Sequence, residues 1–352
     1  MFDTFLDDVA ARDWDTHPDG TVRFAVVGTG GFARHLALPA IDSADYGEVT
    51  TLVTGSPDAR ADLATEYDAT AIDYEAYRDG TRADAYDAVY VVVPNRLHLP
   101  NVAAAADHGK HVLCEKPLDA TLERAERLVA ACEDAGVTLM TAYRMQTDPV
   151  VRRLRAFVQG GGLGDVVKLS GDFTFPVLSG GYGPDHWRLA ADLAGGGALY
   201  DVGVYPLNTA RFVLDTEPTA VEGTTATSGP YSDVDERVAF TVEFPEGVFG
   251  SFSASFTGAA DSTFVVHGTD GTARLEDAFV PRRDRTLRVE AGGATLTLEG
   301  AGTNEVREEF DYFAHCVLTG ERPEPDGEDG LADLRVMDAV YESAASGERR
   351  SL

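Results

Sequence analysis

A short glycine-rich run at residues 28–33 constrains the fold more than any other feature of the sequence. It reads Gly-Thr-Gly-Gly-Phe-Ala and stands between the apolar stretch Val22–Val27 and a segment of helical pattern. In a strand–turn–helix unit that binds a dinucleotide, Gly28 permits the tight turn, Gly30 lets the backbone approach a pyrophosphate, and Ala33 allows close helix–sheet packing. The predicted phosphate-binding loop also includes the other three residues of the run, Thr29, Gly31 and Phe32.

The first half of the chain repeats this alternation of apolar stretches and helical patterns. Strands are predicted at Val22–Val27, Glu48–Val53, Ala88–Val93, His111–Cys114 and Thr138–Thr141. Helices are predicted near Phe32–Ile41, Asp58–Tyr67, Pro100–Asp107 and Leu122–Ala135. Repeated βα units of this length predict a doubly wound parallel sheet, a Rossmann domain. Glycines in an ordinary tight turn are the alternative, and this context favours the dinucleotide site.

The second half changes character after about Val158, where closely spaced strands predict a mostly antiparallel sheet. These strands are predicted at Val166–Thr174, Ala220–Thr225, Arg237–Phe244, Val248–Ser255, Ser262–His267, Gly271–Leu275, Thr286–Val289 and Thr295–Leu298. Helices are predicted near Tyr205–Leu214, Val306–Thr319 and Leu331–Ala345, with a loop at Gly320–Gly330. We therefore predict an α/β protein with a Rossmann domain at residues 1–142 and an α+β domain with a large open sheet at residues 143–352.

The charge is unusually negative, because 59 Asp and Glu residues against 29 Lys and Arg give a formal net charge of -30. Such a surface repels nucleic acid and anionic membranes, so neither is expected as a partner. The acids are spread along the chain and form no single tail, which is typical of a hydrated surface. Our hypothesis is an adaptation to high salt, where screening relieves the self-repulsion.

Other features of the composition predict a cytoplasmic protein. No apolar run approaches the ~20 residues of a membrane-spanning helix, and the first residues lack the pattern of a secretory signal. Cys114, Cys132 and Cys316 form an odd set without CxxC spacing, and we expect buried thiols in a reducing compartment. The histidines show no ligand spacing, so no metal is predicted.

The end of the second predicted strand indicates which nucleotide is bound. A carboxylate there would bond the adenosine ribose and favour NAD, whereas this chain has Thr54 at that position. Thr54 and Ser56 can donate hydrogen bonds to a ribose phosphate, and Arg60 or Arg34 can supply positive charge. Each arginine could equally be a solvated surface residue. NADP is predicted as the cofactor, with NAD less favoured.

Longer motifs further along resemble those of the glucose–fructose oxidoreductase / inositol dehydrogenase (Gfo/Idh/MocA) family. The matching segments are VPNRLH at 93–98, CEKP at 114–117, AYR at 142–144, WRL at 187–189, LAGGGALYDVGVYPLN at 193–208 and EDGL at 328–331. Within the family the chain is most similar to the glucose–fructose oxidoreductase branch, and there to NADP-dependent dehydrogenases of halophilic archaea that oxidise D-xylose. The exported members keep their nucleotide bound, whereas this chain shows no export signal, so we expect it to release NADPH.

The resemblance implies a catalytic set of Lys116, Asp201 and Tyr205, with Tyr205 as the general acid/base. From the residues alone, Lys116 follows a parallel strand and Asp201 and Tyr205 share one helical face, so an ammonium, a carboxylate and a phenol could converge. A core position for the Tyr205 ring is the alternative. The same resemblance places Tyr143 at the substrate and predicts a possible cis bond before Pro117. It assigns further cofactor contacts to Pro94, Asn95, His98, Glu115, Lys116, Arg144, Trp187 and Arg188.

The reaction implied is oxidation of an aldopyranose at its anomeric carbon to the lactone, with the hydride passing to nicotinamide. D-xylose is the leading substrate and D-glucose the second. The alternatives are a dehydrogenase of another cyclic polyol, such as inositol or a trans-dihydrodiol, and a non-catalytic nucleotide-binding regulator. One face of the predicted C-terminal sheet carries no helix, and the family uses it for subunit pairing, so a homodimer or homotetramer is expected.

Overall fold

The computed structural model describes residues 12–14, 16–180, 182–300 and 304–352, which form two compact units. The first unit contains residues 14–144 and 306–331. The second contains residues 145–305 and 332–352, together with the start of the described chain. The chain leaves the first unit between Arg144 and Met145, two residues beyond the predicted boundary. Residues 306–331 return to the first unit, although the sequence suggested that they belong to the C-terminal domain.

The first unit is built on a parallel sheet with the order β3-β2-β1-β4-β5-β6 among the described residues. Its strands are β1 (Val22–Val27), β2 (Gly47–Val53), β3 (Thr70–Ile72), β4 (Ala88–Val91), β5 (His111–Cys114) and β6 (Leu139–Thr141). Its helices are a π-helical turn (Ala33–Ala37) continuing as α1 (Leu38–Asp42), then α2 (Pro57–Glu66), α3 (Tyr74–Arg78), α4 (His98–Asp107) and α5 (Leu122–Ala135). The predicted doubly wound sheet is confirmed, because buried apolar strands alternate with helices along the chain.

The second unit is built on a mixed, mostly antiparallel sheet with the order β14-β13-β12-β11-β7-β10-β9-β8-β15 among the described residues. Its strands are β7 (Val166–Thr174), β8 (Ala220–Ala226), β9 (Arg237–Glu243), β10 (Phe249–Ser255), β11 (Asp261–Gly268), β12 (Gly271–Glu276), β13 (Thr286–Ala291), β14 (Ala294–Glu299) and β15 (Arg350–Ser351). Only the β7–β10 pair is parallel among these described pairings. The predicted α+β architecture is confirmed.

Buried and exposed residues alternate along the central strands of this sheet, as expected when one face is packed and the other is open. Helices α6 (Arg144–Thr147) and α7 (Pro149–Gln159) precede β7. Helices α8 (Ala191–Ala194) and α9 (Val204–Leu214) lie between β7 and β8, and a π-helical turn (Leu199–Gly203) precedes α9. Helix α9 packs on the closed face, against β7 and β10. Pro206 illustrates this contact, because a Cβ on Gly171 of β7 would lie 2.7 Å from its ring.

Two further helices follow the second sheet, α10 (Glu305–Thr319) and α11 (Gly327–Ser346). Helix α10 explains why its segment belongs to the first unit: Phe310 and Phe313 pack their rings 5.4 and 5.9 Å from that of Phe24 on β1. Such contacts bury large apolar surfaces together. Helix α11 begins within the region predicted as a loop, so that loop is shorter than expected.

Three predictions about composition can be compared with the structure. Cys114, Cys132 and Cys316 are buried and unbridged, as expected. Among the described residues, no helix is long and apolar enough to cross a membrane. The same part of the chain holds no cluster of three or more potential metal ligands.

Candidate active site

The glycine turn lies at the carboxyl end of β1 in the first unit. Gly28 has a φ of +107°, and a Cβ there would lie 2.4 Å from the Val92 carbonyl oxygen, so only glycine fits. Its N–H donates to the carbonyl of Val53 at 3.0 Å, which holds the turn against the end of β2. At the exposed Gly30, by contrast, a Cβ would meet nothing within 4 Å. The turn therefore offers open backbone to a ligand on that side.

The helix that follows begins where the turn ends. Ala33 is fully buried and belongs to the apolar core beneath the sheet, as its small side chain predicts. Phe32 is partly buried against the same core, while Gly31 is exposed. The glycine turn is thus followed directly by the start of a helix, where free N–H groups favour anions.

The tip of β2 is tied to the glycine turn through Thr54, which is 4% exposed. Its Oγ1 accepts hydrogen bonds from the Thr29 hydroxyl at 2.8 Å and from the Ser56 N–H at 3.3 Å. The Thr54 hydroxyl thus links the end of β2 to the glycine turn, while the exposed Ser56 lies further out on the loop. These contacts bring together three of the predicted cofactor residues.

The two candidate arginines of this region differ in their partners. Arg60 lies 3.5 Å from a carboxylate oxygen of Asp73, which offsets part of its charge. Arg34 is exposed and donates from Nε to the Thr29 carbonyl at 2.8 Å. That bond fixes the guanidinium of Arg34 beside the glycine turn, and its terminal nitrogens form no ion pair within the described chain. The charge of Arg34 is therefore not offset by an ion pair within the described chain, whereas that of Arg60 is partly offset.

The ends of β4 and β5 carry the next group of predicted residues. Pro94 precedes a 3₁₀ turn at Asn95–Leu97, and Asn95 is buried. Glu115 accepts from the Tyr90 hydroxyl at 2.6 Å and from the Lys116 N–H at 3.2 Å, so it shapes the backbone at Lys116. The Lys116–Pro117 peptide bond is cis.

His98 has a different place from the cofactor contact that was predicted for it. Its ring is fully buried, with Nε2 2.9 Å from the Val93 carbonyl oxygen and Nδ1 3.1 Å from that of Leu118. Both nitrogens lie beside backbone carbonyl oxygens and no ring surface is exposed, so direct contact with a nucleotide is not available. His98 instead joins the loops that follow β4 and β5.

Tyr143 and Arg144 follow β6, where the chain passes to the second unit. Both are buried, at 3% and 2% exposure. The Tyr143 N–H donates to the Thr141 carbonyl at 2.7 Å, which turns the chain sharply after the strand. Their predicted roles at the sugar and the cofactor remain predictions.

The second unit brings Trp187, Arg188 and Asp201 together. Arg188 Nε donates to Asp201 Oδ2 at 2.9 Å, and the guanidinium lies 4.6 Å from the centre of the Trp187 ring. The centre of the Tyr182 ring lies 5.7 Å from the same guanidinium, a contact that nothing in the local sequence pattern indicated. Burial, followed by the charge of Arg188, lowers the pKa of the adjacent His186, which accepts from the Arg188 N–H at 3.4 Å.

Tyr205 lies one helical turn after Asp201, at the start of α9. Its side chain is 9% exposed, and its ring packs 5.5 Å from Phe173 and 5.9 Å from Phe279. These contacts hold the ring in place. They agree in part with the alternative, left open by the sequence, that the Tyr205 ring is a core residue. Asp201 itself lies in the π-helical turn, a feature that is frequent at functional sites. Lys116 belongs to the first unit, and Asp201 and Tyr205 belong to the second.

Comparisons with known proteins agree with these features. Residues 22–143 match the GFO_IDH_MocA family, described as an oxidoreductase family with an NAD-binding Rossmann fold, and residues 151–274 match a GFO/IDH/MocA C-terminal domain. A protein of Haloarcula marismortui named D-xylose 1-dehydrogenase, NADP(+), is 45% identical, covering 95% of this chain and 94% of that one. A D-xylose 1-dehydrogenase (NADP(+)) 2 of Haloferax volcanii is 34% identical, covering 92% and 98%.

A solved structure supports the same assignment. The aldose-aldose oxidoreductase of Caulobacter crescentus, complexed with glycerol, superposes with a TM-score of 0.89 at 31% identity. The match covers 94% of this chain and all of that one. The predicted family is therefore confirmed: this chain belongs to the GFO/IDH/MocA family of NAD(P)-dependent oxidoreductases.

Proposed function

We propose that the protein oxidises D-xylose, with D-glucose as a second substrate, at the anomeric carbon of the pyranose to give the lactone and NADPH. The observation that carries the proposal is the 45% identity, over nearly the whole length of both chains, to a protein named as an NADP-dependent D-xylose 1-dehydrogenase. The relative from Haloferax volcanii carries the same activity in its name. The resemblance to the family assigns proton transfer to Lys116, Asp201 and Tyr205, and the proposal keeps these roles.

The choice of NADP over NAD rests on the end of β2. A carboxylate at Thr54 would repel a phosphate on the ribose, and the threonine removes that repulsion. Arg34 adds a cation whose position is fixed by its bond to the Thr29 carbonyl. A guanidinium is well suited to phosphate because it is planar and always charged.

The reaction removes a proton from the anomeric hydroxyl and a hydride from the anomeric carbon, so that a carbon–oxygen double bond forms. When bound, NADP supplies the nicotinamide ring that takes the hydride. Tyr205, acting as its phenolate, accepts the proton and becomes the neutral phenol, and Asp201, oriented by Arg188, directs the hydroxyl toward it. Lys116 hydrogen-bonds the same hydroxyl, and its positive charge favours the ionised oxygen.

A substrate panel tests the proposal. The purified protein is assayed in high salt for reduction of NADP and of NAD with D-xylose, D-glucose, myo-inositol and a trans-dihydrodiol. D-xylose with NADP should give the highest kcat/KM, and the product should be the lactone. Faster turnover of inositol or the dihydrodiol would contradict the proposal and indicate a polyol dehydrogenase instead. Tight nucleotide binding without any turnover would favour a regulator.

We further infer that copies of the chain pair through the open face of the second sheet. Small side chains oppose each other there in register, Thr241 beside Ser251 and Ala239 beside Ser253. Phe249, 50% exposed, adds apolar surface at the same face. Small side chains on a sheet face permit close packing against a second sheet. Light scattering should show a dimer or tetramer that Thr241→Arg dissociates, and a monomeric wild type would exclude the pairing.

A further inference from the structure

The start of the helix that carries Asp201 and Tyr205 is held by a residue far away in sequence. Asp235 lies in the loop before β9, and its carboxylate accepts from the Gly197 N–H at 2.7 Å and from the Leu199 N–H at 2.8 Å. The Asp235 carbonyl accepts from the Ala198 N–H at 2.9 Å. Three consecutive N–H groups, which a helix cannot satisfy internally at its start, are thus bonded to one residue.

The carboxylate of Asp235 is itself fixed from a third element. Tyr341 of α11 donates its hydroxyl to Oδ1 of Asp235 at 2.5 Å. Asp235 is 5% exposed, and burial raises its pKa against the opposing effect of these hydrogen bonds. A carboxylate that is costly to bury but accepts three hydrogen bonds, one of them from a tyrosine, is suited to holding its neighbours in one geometry.

The glycines before the helix are explained by the same contacts. A Cβ at Gly197 would lie 2.0 Å from the Asp235 carbonyl oxygen, and one at Gly196 would lie 2.2 Å from the Tyr341 hydroxyl. Neither residue has a positive φ of the kind that Gly195 has, at +81°. Close approach to Asp235 and Tyr341, rather than conformational freedom, therefore requires glycine at positions 196 and 197.

We propose that Asp235 is a positioning residue for the reaction: by binding the first N–H groups of the helix it sets where Asp201 and Tyr205 stand. Gly197, at the helix start, is four residues from Asp201 and eight from Tyr205, and Asp201 lies within the π-helical turn that joins the helix start to α9. A shift at the anchored end would therefore be passed along the helix to both side chains. The inference rests on the proposed function, in which these two residues handle the proton.

Asp235→Asn is the first test, because it keeps the size of the side chain. Its NH₂ group cannot accept a hydrogen bond, so the N–H of either Gly197 or Leu199 loses its acceptor. Asp338→Asn is the matched control. Asp338 accepts from the hydroxyl of Tyr200, on the same helix, at 2.6 Å, without touching the backbone N–H groups at its start. An asparagine there can accept the same bond.

We expect kcat for sugar oxidation to fall about tenfold to 100-fold in Asp235→Asn, because a displaced proton acceptor slows the chemical step. The Kd for NADP should stay within about twofold, because the glycine turn belongs to the first unit, and Asp338→Asn should keep the wild-type kcat. In peptides covering residues 196–205, hydrogen–deuterium exchange should be faster than in the wild type for Asp235→Asn but not for Asp338→Asn. A folded Asp235→Asn with wild-type kcat and wild-type exchange would overturn the proposal.

Two further measurements cover the cases in which the first test fails. If Asp235→Asn does not fold, Tyr341→Phe is used instead, because it removes only one hydrogen bond to Asp235. This variant should show the same faster exchange and a smaller loss of kcat, and the absence of both effects would also overturn the proposal. If the wild type oxidises no sugar, the proposed function has failed, whereas the exchange measurement still decides whether Asp235 holds the helix start.

Discussion

Arg188 and Asp201 form an ion pair in which Arg188 Nε donates to Asp201 Oδ2 at 2.9 Å, although thirteen residues separate them in the chain. The pair joins the 3₁₀ turn at Trp187–Leu189 to the π-helical turn before α9. Both side chains are largely shielded from solvent, at 21% and 14% exposure, so the bond is less weakened by water than a surface ion pair. We therefore expect Arg188 to help orient Asp201.

Arg188→Lys should lower kcat/KM for the sugar about tenfold, because lysine keeps the charge but loses the planar fork and the stacking on Trp187. Steady-state kinetics on the purified variant measures the effect. Arg274→Lys, at the exposed pair with Glu276, is the control and should leave the kinetics unchanged. Equal kinetics in both variants would mean that Arg188 does not orient Asp201.

Tyr205→Phe should reduce turnover about 10²- to 10⁴-fold, because it removes only the proton acceptor. The ring contacts with Phe173 and Phe279 remain, so the variant should keep the wild-type melting temperature and affinity for NADP. Tyr231→Phe, which removes a long hydrogen bond to the Phe256 carbonyl, is the control. Substantial activity in Tyr205→Phe would assign the proton transfer to another group.

Thr54→Asp should shift the ratio of kcat/KM values from NADP toward NAD by about tenfold or more, because a carboxylate repels the ribose phosphate and can bond a free ribose hydroxyl. The ratio is measured with D-xylose at saturation. Thr54→Ser keeps the hydroxyl that accepts from Thr29 and should retain the NADP preference. An unchanged ratio in Thr54→Asp would place the adenosine ribose away from the end of β2.

Sequence patterns predicted most of the architecture, because local signals specify it. The apolar runs of β1 and β5 and the helix Leu122–Ala135 have the predicted bounds. The three-residue β3 was missed, since a strand this short with half-buried side chains has no periodicity to detect. Helix α7 was also missed.

The site was predictable only where residues act close to their own motif. The glycine turn and the four-residue spacing of Asp201 and Tyr205 are local, and both were found. Asp235 acts on a helix that starts 36 residues earlier, and no local pattern marks such a contact. The buried position of His98, between two backbone carbonyl oxygens, is likewise a property of the folded loops and not of its motif.

The stability of the first unit should decrease in mild acid, in part through His111. Its Nδ1 accepts a hydrogen bond from the Thr138 N–H at 3.0 Å, and burial lowers its pKa. Because the unfolded chain binds a proton near pH ~6.5 and the folded chain only at lower pH, the unfolded state takes up more protons in that interval. The stabilisation is therefore complete above pH ~6.5 and is lost as the pH falls.

Urea unfolding at pH 7.5, 6.5 and 5.5, chosen to bracket an ordinary histidine pKa of ~6.5, measures this dependence. His111→Asn places an uncharged acceptor near the Thr138 N–H, so its free energy of unfolding should fall less between the highest and lowest pH than that of the wild type. His35→Asn, at an exposed histidine, should follow the wild type. If the free energy of unfolding of His111→Asn falls as steeply with pH as that of the wild type, groups other than His111 cause the pH dependence.

The net charge of -30 predicts that the folded state depends on salt. Self-repulsion among exposed carboxylates extends over ~30 Å at 0.01 M salt and over only ~3 Å at 1 M. The melting temperature should therefore rise steeply between low and molar KCl, and equal melting temperatures at both would remove the hypothesis of salt adaptation.

Salt also strengthens apolar burial in general, so the electrostatic cause needs its own test. Helix α5 presents the exposed acids Glu126, Glu133 and Asp134 on its outer face. Replacing all three with their amides lowers the repulsion but leaves the apolar core untouched. If repulsion is the cause, the triple variant melts at a higher temperature than the wild type in low salt and at about the same temperature in molar KCl. If general salting-out is the cause, the two curves stay parallel at every concentration.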